Sequence, residues 1–147
     1  MSKVALITGA NRGIGFETAK ALGALNIQLI IGCRDISKGE AAAKELKALG
    51  FTAEAIAYNA NDANSADAVY QHIEKKYGKL DILINNAGMI AEDLIGSNSS
   101  STVSQPVLQN TFQVNLFSVI ALTQKLLPLI KSSVAGRIVN LSSVVGS

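Results

Sequence analysis

Residues 8–15 read Thr8-Gly-Ala-Asn-Arg-Gly-Ile-Gly15. Glycines at this spacing permit a tight turn and let the backbone approach a bulky anion. A helix beginning there adds unpaired amides and a positive dipole end, which together bind phosphate. A glycine-rich string is weak alone and gains meaning from its context. Here the apolar run Val4 to Thr8 precedes it, and Phe16, Ala19, Leu22 and Leu25 follow at near-helical spacing. That is the strand-turn-helix junction at which a doubly wound sheet takes a dinucleotide. The candidate cofactor contacts are Gly9, Asn11, Arg12, Gly13, Ile14 and Gly15.

The elements that must position this turn follow from periodicity. Short apolar runs alternate with helical stripes, the pattern of βαβ units on a parallel sheet. Strands are expected at Val4 to Thr8, Ile27 to Cys33, Thr52 to Tyr58, Leu80 to Asn85 and Arg137 to Leu141. Helices are expected at 13–25, from Ser37 to about Leu49, along the face Ala66, Val69, Tyr70, Ile73 and Tyr77, and at 107–131. Ser37 and Glu40 have the spacing of a capping box, and Gly50 and Gly78 supply stops. The polar stretch Met89 to Gln105 has no apolar period and reads as a long loop. With no repeat and no linker-like shift in composition, residues 1–147 read as one α/β domain, a doubly wound parallel sheet of Rossmann type.

Composition narrows the possibilities. The chain has 147 residues, 48% hydrophobic and 16% charged, with a net charge of +2. A charge this small gives no basic footprint for nucleic acid. One cysteine, Cys33, and one histidine, His72, supply neither a disulfide framework nor an ordinary zinc site. Cys33 reads as a small apolar strand residue, and His72 as a helix residue without a role. The most apolar stretch, Leu116 to Ile130, is too short and too interrupted to span a membrane. The N-terminus lacks the pattern of a secretory signal, so a cytoplasmic location is expected.

Three further motifs occur in order: Asn85-Asn-Ala-Gly88, Asn115, and Asn140-Leu-Ser-Ser143. Together with the glycine turn they resemble the short-chain dehydrogenase/reductase family over the whole chain. Leu126-Leu-Pro-Leu-Ile-Lys131 looks like the carbonyl reductases within it. The resemblance implies cofactor contacts at Asn86, Ala87 and Gly88, a catalytic-site asparagine at Asn115, and an active-site serine at Ser143, with Ser142 as the neighbouring alternative. It also implies an adenine contact at Asn59-Ala60, where the family usually has Asp and an apolar residue. Asn59 can accept from the adenine amino group through its side-chain oxygen. Asp62, three positions on, reads as the cap of the next helix.

Cofactor choice follows from charge. An acid ending the second strand would bind the ribose hydroxyls of NAD and repel the 2′-phosphate of NADP. Cys33 stands there, followed by Arg34, and Arg12 lies in the turn. Two guanidinium groups and no acid favour NADP(H). Asp35 could pair with Arg34 and weaken that pull.

The resemblance also implies a catalytic Tyr-x-x-x-Lys about a dozen residues beyond Ser143, whereas the sequence ends at Ser147. None of Tyr58, Tyr70 and Tyr77 begins such a motif. The expectation is a truncated larger domain lacking its C-terminal strands and helices, with Arg137 to Leu141 as an open edge strand. The expected activity is NADPH-dependent reduction of a ketone or aldehyde, or oxidation of the alcohol, with little turnover by these residues alone. A non-catalytic NADP-binding module or a decayed gene product is the alternative. The family commonly pairs through the long helix before the fifth strand, so a homo-oligomer of the full-length protein is a further implication.

Overall fold

Five parallel strands lie in the order β3-β2-β1-β4-β5. The computed structural model describes residues 2–86 and 105–141, with side chains described for 2–86 and 116–140. The elements in chain order are β1 (Val4–Thr8), α1 (Gly13–Gly23), β2 (Gln28–Cys33), α2 (Ile36–Ala48), β3 (Ala53–Ala57), α3 (Ala63–Lys76), β4 (Ile82–Asn86), α4 (Gln105–Lys131) and β5 (Arg137–Leu141). β1 pairs with β2 on one side and β4 on the other, so the strand order reverses at β1. The crevice at such a reversal is where open α/β sheets bind ligands.

Strand pleating divides the core in two. Val4, Leu6, Ile30 and Leu83 pack with Val69 and Ile73 of α3 and with Leu122, Leu126 and Leu129 of α4. Ala5, Ile7, Leu29, Ile31 and Ile84 pack on the other face with Ala19 of α1 and with Ala43 and Leu46 of α2. Adjacent strand residues thus face different helix pairs, which explains why these strands read as continuous apolar runs. Burying each large aliphatic side chain contributes about 1.5–3 kcal/mol. β5 differs: Ile138 and Val139 are 40% and 41% exposed although neighbouring strand residues point to opposite faces. The expected open edge strand is therefore uncovered among the described residues.

Local chemistry moved some boundaries. Asp35, rather than Ser37, caps α2: its Oδ1 accepts from the Ser37 backbone N–H at 3.0 Å and from the Ser37 hydroxyl at 2.6 Å. The expected Ser37–Glu40 capping box is corrected by this competition. A carboxylate two residues earlier takes both donors, and the helix starts one residue sooner. Asp62 caps α3 as anticipated, accepting from Asn64 N–H at 3.0 Å. The polar stretch Met89 to Gln105 lies outside the described residues except for Gln105, the first residue of α4.

His72, read from the sequence as a helix residue without a role, is part of a structural cluster. Its Nε2 lies 2.8 Å from Glu54 Oε1, and Lys76 and Tyr77 bind the same carboxylate. Burial works against the Glu54 charge, but hydrogen bonds from Tyr77, Lys76 and His72 outweigh it and hold its pKa below the usual range. This cluster fastens α3 to the edge strand β3.

Asp81, immediately before β4, joins three segments. Its Oδ2 accepts from Val4 N–H at 2.7 Å and lies 2.9 Å from Lys79 Nζ, while Oδ1 accepts from Ser133 Oγ at 2.6 Å. Burial raises the Asp81 pKa, but the Ser133, Lys79 and Val4 contacts bring it below normal. A carboxyl depressed in the folded state stabilises fully above its unfolded pKa, near about pH 4, and that contribution disappears as pH falls through the folded value. Truncating Asp81 to Ala is expected to cost about 3 kcal/mol at neutral pH, because Val4 N–H and Lys79 lose a buried partner. Urea unfolding at pH 7 measures this. The gap between the two proteins should shrink below pH 4, and a gap independent of pH would refute the role of the charge.

Candidate functional site

The glycine turn joins β1 to α1 at the crevice beside β4. Gly9 and Gly13 both have φ of 65°, a conformation that side chains with a Cβ rarely adopt. Gly9 N–H donates to Gly32 O at 2.7 Å, tying the turn to β2. Arg12 is the N-cap residue of α1 in extended conformation, and no acidic side chain lies in the first helical turn. The first amides of α1, on Gly13, Ile14 and Gly15, have no intrahelical acceptor and carry the positive end of the helix dipole. Arg12, Gly13 and Ile14 are exposed. The donor set suits a pyrophosphate.

Gly15 has a different task. A Cβ there would come within 2.6 Å of Asn86 Nδ2 and 2.7 Å of Gly9 O. Its hydrogen lets α1 press against the end of β4. Asn86 uses that closeness: its Nδ2 donates to Gly9 O at 3.2 Å and its N–H donates to Thr8 Oγ1 at 3.0 Å. Thr8 Oγ1 in turn donates to Ile84 O at 3.4 Å. Asn86 therefore braces the turn from behind and is 8% exposed.

Asn85, 2% exposed, points to the other face. Its Nδ2 donates to Asn140 Oδ1 at 2.9 Å and to Thr123 Oγ1 at 3.2 Å, joining β4 to β5 and α4. The parallel register places Asn85 opposite Asn140. Two motifs 55 residues apart in the sequence thus meet at one hydrogen bond. Sequence reasoning overlooked the brace by Thr8 and Thr123, whose only signal was a hydroxyl at the end of an apolar strand or inside an apolar helix stripe.

The end of β2 clarifies the charge question. Cys33 is 2% exposed, and its Sγ donates to Asp35 O at 3.1 Å. A Cβ on Gly39 would strike this sulfur, so α2 lies directly over it. Burial raises the Cys33 pKa despite an opposing backbone hydrogen bond at Gly39. Arg34 is exposed, and the Asp35 carboxylate is engaged by Ser37, whose hydrogen bonds lower its pKa. The strand ends in a sealed thiol followed by an exposed cation.

The loop after β3 carries Asn59 and Ala60. Asn59 is exposed, and its Oδ1 accepts from Asn61 N–H at 2.9 Å. Ala60 O accepts from Ser118 Oγ of α4 at 2.7 Å. Asn115 lies one helical turn before Ser118 in α4, and its side chain falls outside those described. Ala87, Gly88, Ser142 and Ser143 also lie outside the described residues. No group of three or more His, Cys, Asp or Glu able to hold a metal occurs among the described residues.

A Rossmann-type sheet with a glycine turn at its reversal point defines a class of nucleotide-binding domain. The short chain dehydrogenase family model matches residues 3–147, and the chain belongs to that family. It is 31% identical over 174 residues to salutaridine reductase of Papaver bracteatum, covering 99% of this chain and 55% of that protein. It is 34% identical over 143 residues to human carbonyl reductase (NADPH) 1, covering 97% of this chain and 49% of that one. A metagenomic short-chain oxidoreductase solved in complex with NADP superimposes with a TM-score of 0.79 at 30% identity, over 99% of this chain and 64% of the other. The chain spans about half the length of these curated relatives.

Replacing Gly15 by Ala forces a methyl group against Asn86 and Gly9 O. The expected cost is about 1–3 kcal/mol from overpacking. Thermal unfolding reads it, and an unchanged midpoint would show that α1 can move away without loss.

Proposed function

We propose that residues 1–147 are one NADP(H)-binding domain of a carbonyl reductase or alcohol dehydrogenase, acting on a small ketone, aldehyde or the corresponding alcohol. The observation that carries the cofactor choice is the charge pattern around the turn. Arg12 and Arg34 are exposed, Cys33 is sealed, and the first turn of α1 holds no acid. Arginine matches phosphate oxygens in bidentate fashion, so both side chains suit a 2′-phosphate. The NADP-bound relative and the NADPH reductase among the similar proteins support the same choice.

In this reading the turn amides of Gly13, Ile14 and Gly15 hold the pyrophosphate, with Gly9 and Asn11 shaping the approach. Arg12 and Arg34 take the 2′-phosphate, while Asn59 and Ala60 line the base. Asn86, Ala87 and Gly88 border the nicotinamide side. When bound, NADPH supplies the hydride. Ser143 donates a hydrogen bond to the substrate oxygen and polarises the carbonyl, and Asn115 holds a water of the proton relay. None of the three tyrosines has Lys four positions later, so these residues contain no Tyr-x-x-x-Lys proton donor. That observation also favours a second reading, a non-catalytic NADP-binding module.

No helix among the described residues is long and apolar enough to cross a membrane. Leu116, Phe117 and Ile120 are 52%, 68% and 44% exposed on α4, and this stripe suits pairing with a second copy in the whole protein.

Fluorescence titration tests the cofactor assignment. NADPH should bind at least tenfold more tightly than NADH. Arg34→Ser should weaken NADPH about tenfold, the scale of one charge-assisted hydrogen bond, and leave NADH unchanged. Equal binding of the two cofactors would overturn the assignment. These 147 residues should show no turnover of a ketone with NADPH; extension of the chain to a Tyr-x-x-x-Lys should restore it if the first reading is right, and fail to if the second is.

A further inference from the structure

We infer that the end of the sheet where the strands begin is a docking face for an anionic phospholipid surface. The strands are all parallel, so every helix-to-strand connection lies at this one end, opposite the glycine turn. The connections stand side by side, with neighbouring strands about 4.8 Å apart.

Aliphatic side chains project into solvent from these connections. Leu25 precedes β2 and is 70% exposed, Leu49 precedes β3 and is 52% exposed, and Val134 precedes β5 and is 100% exposed. Single exposed apolar residues are common, but these share one end of the sheet. They stand on separate loops, an arrangement that suits a broad flat surface better than a peptide or nucleic acid gripped along one line.

Charge at this end points the same way. Lys47, Lys75, Lys76 and Lys131 lie in the last turns of α2, α3 and α4, and Lys3 and Arg137 stand where β1 and β5 begin; all are exposed. Lysines suit the negative ends of helix dipoles, which accounts for their position but not for the exposed aliphatics beside them. The acids are fewer. Asp81 is 2% exposed and held by Lys79 and Ser133, and Glu54 is bound by His72, Lys76 and Tyr77, which leaves Glu45 and Glu74 as the exposed acids of the same helix ends. A net charge of +2 for the chain conceals this segregation. A recess of about 630 Å³ between Lys3 and Leu25 has room for a lipid headgroup.

Each cation near an anionic leaflet strengthens binding about fivefold, and apolar side chains entering the headgroup boundary add to this. The molecule would lie on the bilayer without spanning it. The glycine turn then faces solvent at the other end, so lipid and nucleotide do not compete.

Flotation with vesicles tests the inference. The chain should rise with vesicles of phosphatidylcholine containing about one-third phosphatidylserine and bind phosphatidylcholine alone at least tenfold more weakly. About 0.5 M salt should release it, because the attraction is then screened within a few ångströms. Lys75→Gln combined with Lys131→Gln should weaken binding about 25-fold, while Lys38→Gln, at the other end of α2, should leave it unchanged. The chain contains no Trp, so Val134→Trp supplies a single reporter. Its emission should move to shorter wavelength with the anionic vesicles only. Absence of flotation, equal binding to both vesicles, an equal loss from Lys38→Gln, or a Trp that stays in water would overturn the inference. Dimerisation without flotation, abolished by Leu25→Ser and Val134→Ser, would give the face to a second copy instead. NADPH titration is a separate measurement, and its outcome bears on the cofactor reading alone.

Discussion

The close approach of α1 to the end of β4 is the constraint on which the site depends. The only atom separating Gly15 from Asn86 and Gly9 O is a hydrogen, and the Asn86 amide closes the gap. If α1 stood farther out, Asn86 would lose Gly9 O and the turn would lose its backing. The glycines of the turn therefore divide their work. Gly9 and Gly13 adopt positive φ, and Gly15 supplies proximity. The free amides of the helix can point into the crevice because the backbone behind them is held by side-chain hydrogen bonds to β4.

The two ends of the strands are secured in different ways. At the ends where the strands finish, Asn85 and Asn86 make neutral hydrogen bonds that bring β1, β4, β5 and α4 into register. At the ends where they begin, Asp81 uses a buried charge, satisfied by a backbone amide, a hydroxyl and Lys79. A buried carboxylate left short of partners would be costly, and here the partners come from three separate segments. Neutral amides at the functional edge leave the local field to the helix dipole and to Arg12 and Arg34. An anionic brace there would oppose a phosphate.

Charge placement near β2 follows the same economy. Asp35 immediately follows Arg34, yet its carboxylate is turned into the cap of α2 and bound by Ser37. Cys33 is neutral and covered by Gly39. The segment 33–35 thus presents a cation beside the crevice although it contains an acid. Across the sheet, Glu54 gathers His72, Lys76 and Tyr77, so the acid of β3 is also satisfied away from the turn.

The sequence by itself determined the order of strands and helices, the glycine turn and the cap at Asp62. Each rests on local periodicity or on a residue with a restricted backbone, and such signals are written within a few neighbouring positions. The start of α2 was misjudged because two local caps competed and the stronger acceptor, Asp35, preceded the expected one. Only the tertiary structure decided that Asn85 meets Asn140, that Thr8 and Asn86 lock together, that His72 belongs to Glu54, and that Ser118 steadies the loop after Asn59. Those pairs lie 18 to 78 residues apart. Their geometry depends on strand register and helix rotation, which are fixed by packing of both core faces at once and have no counterpart in the spacing of residues along the chain.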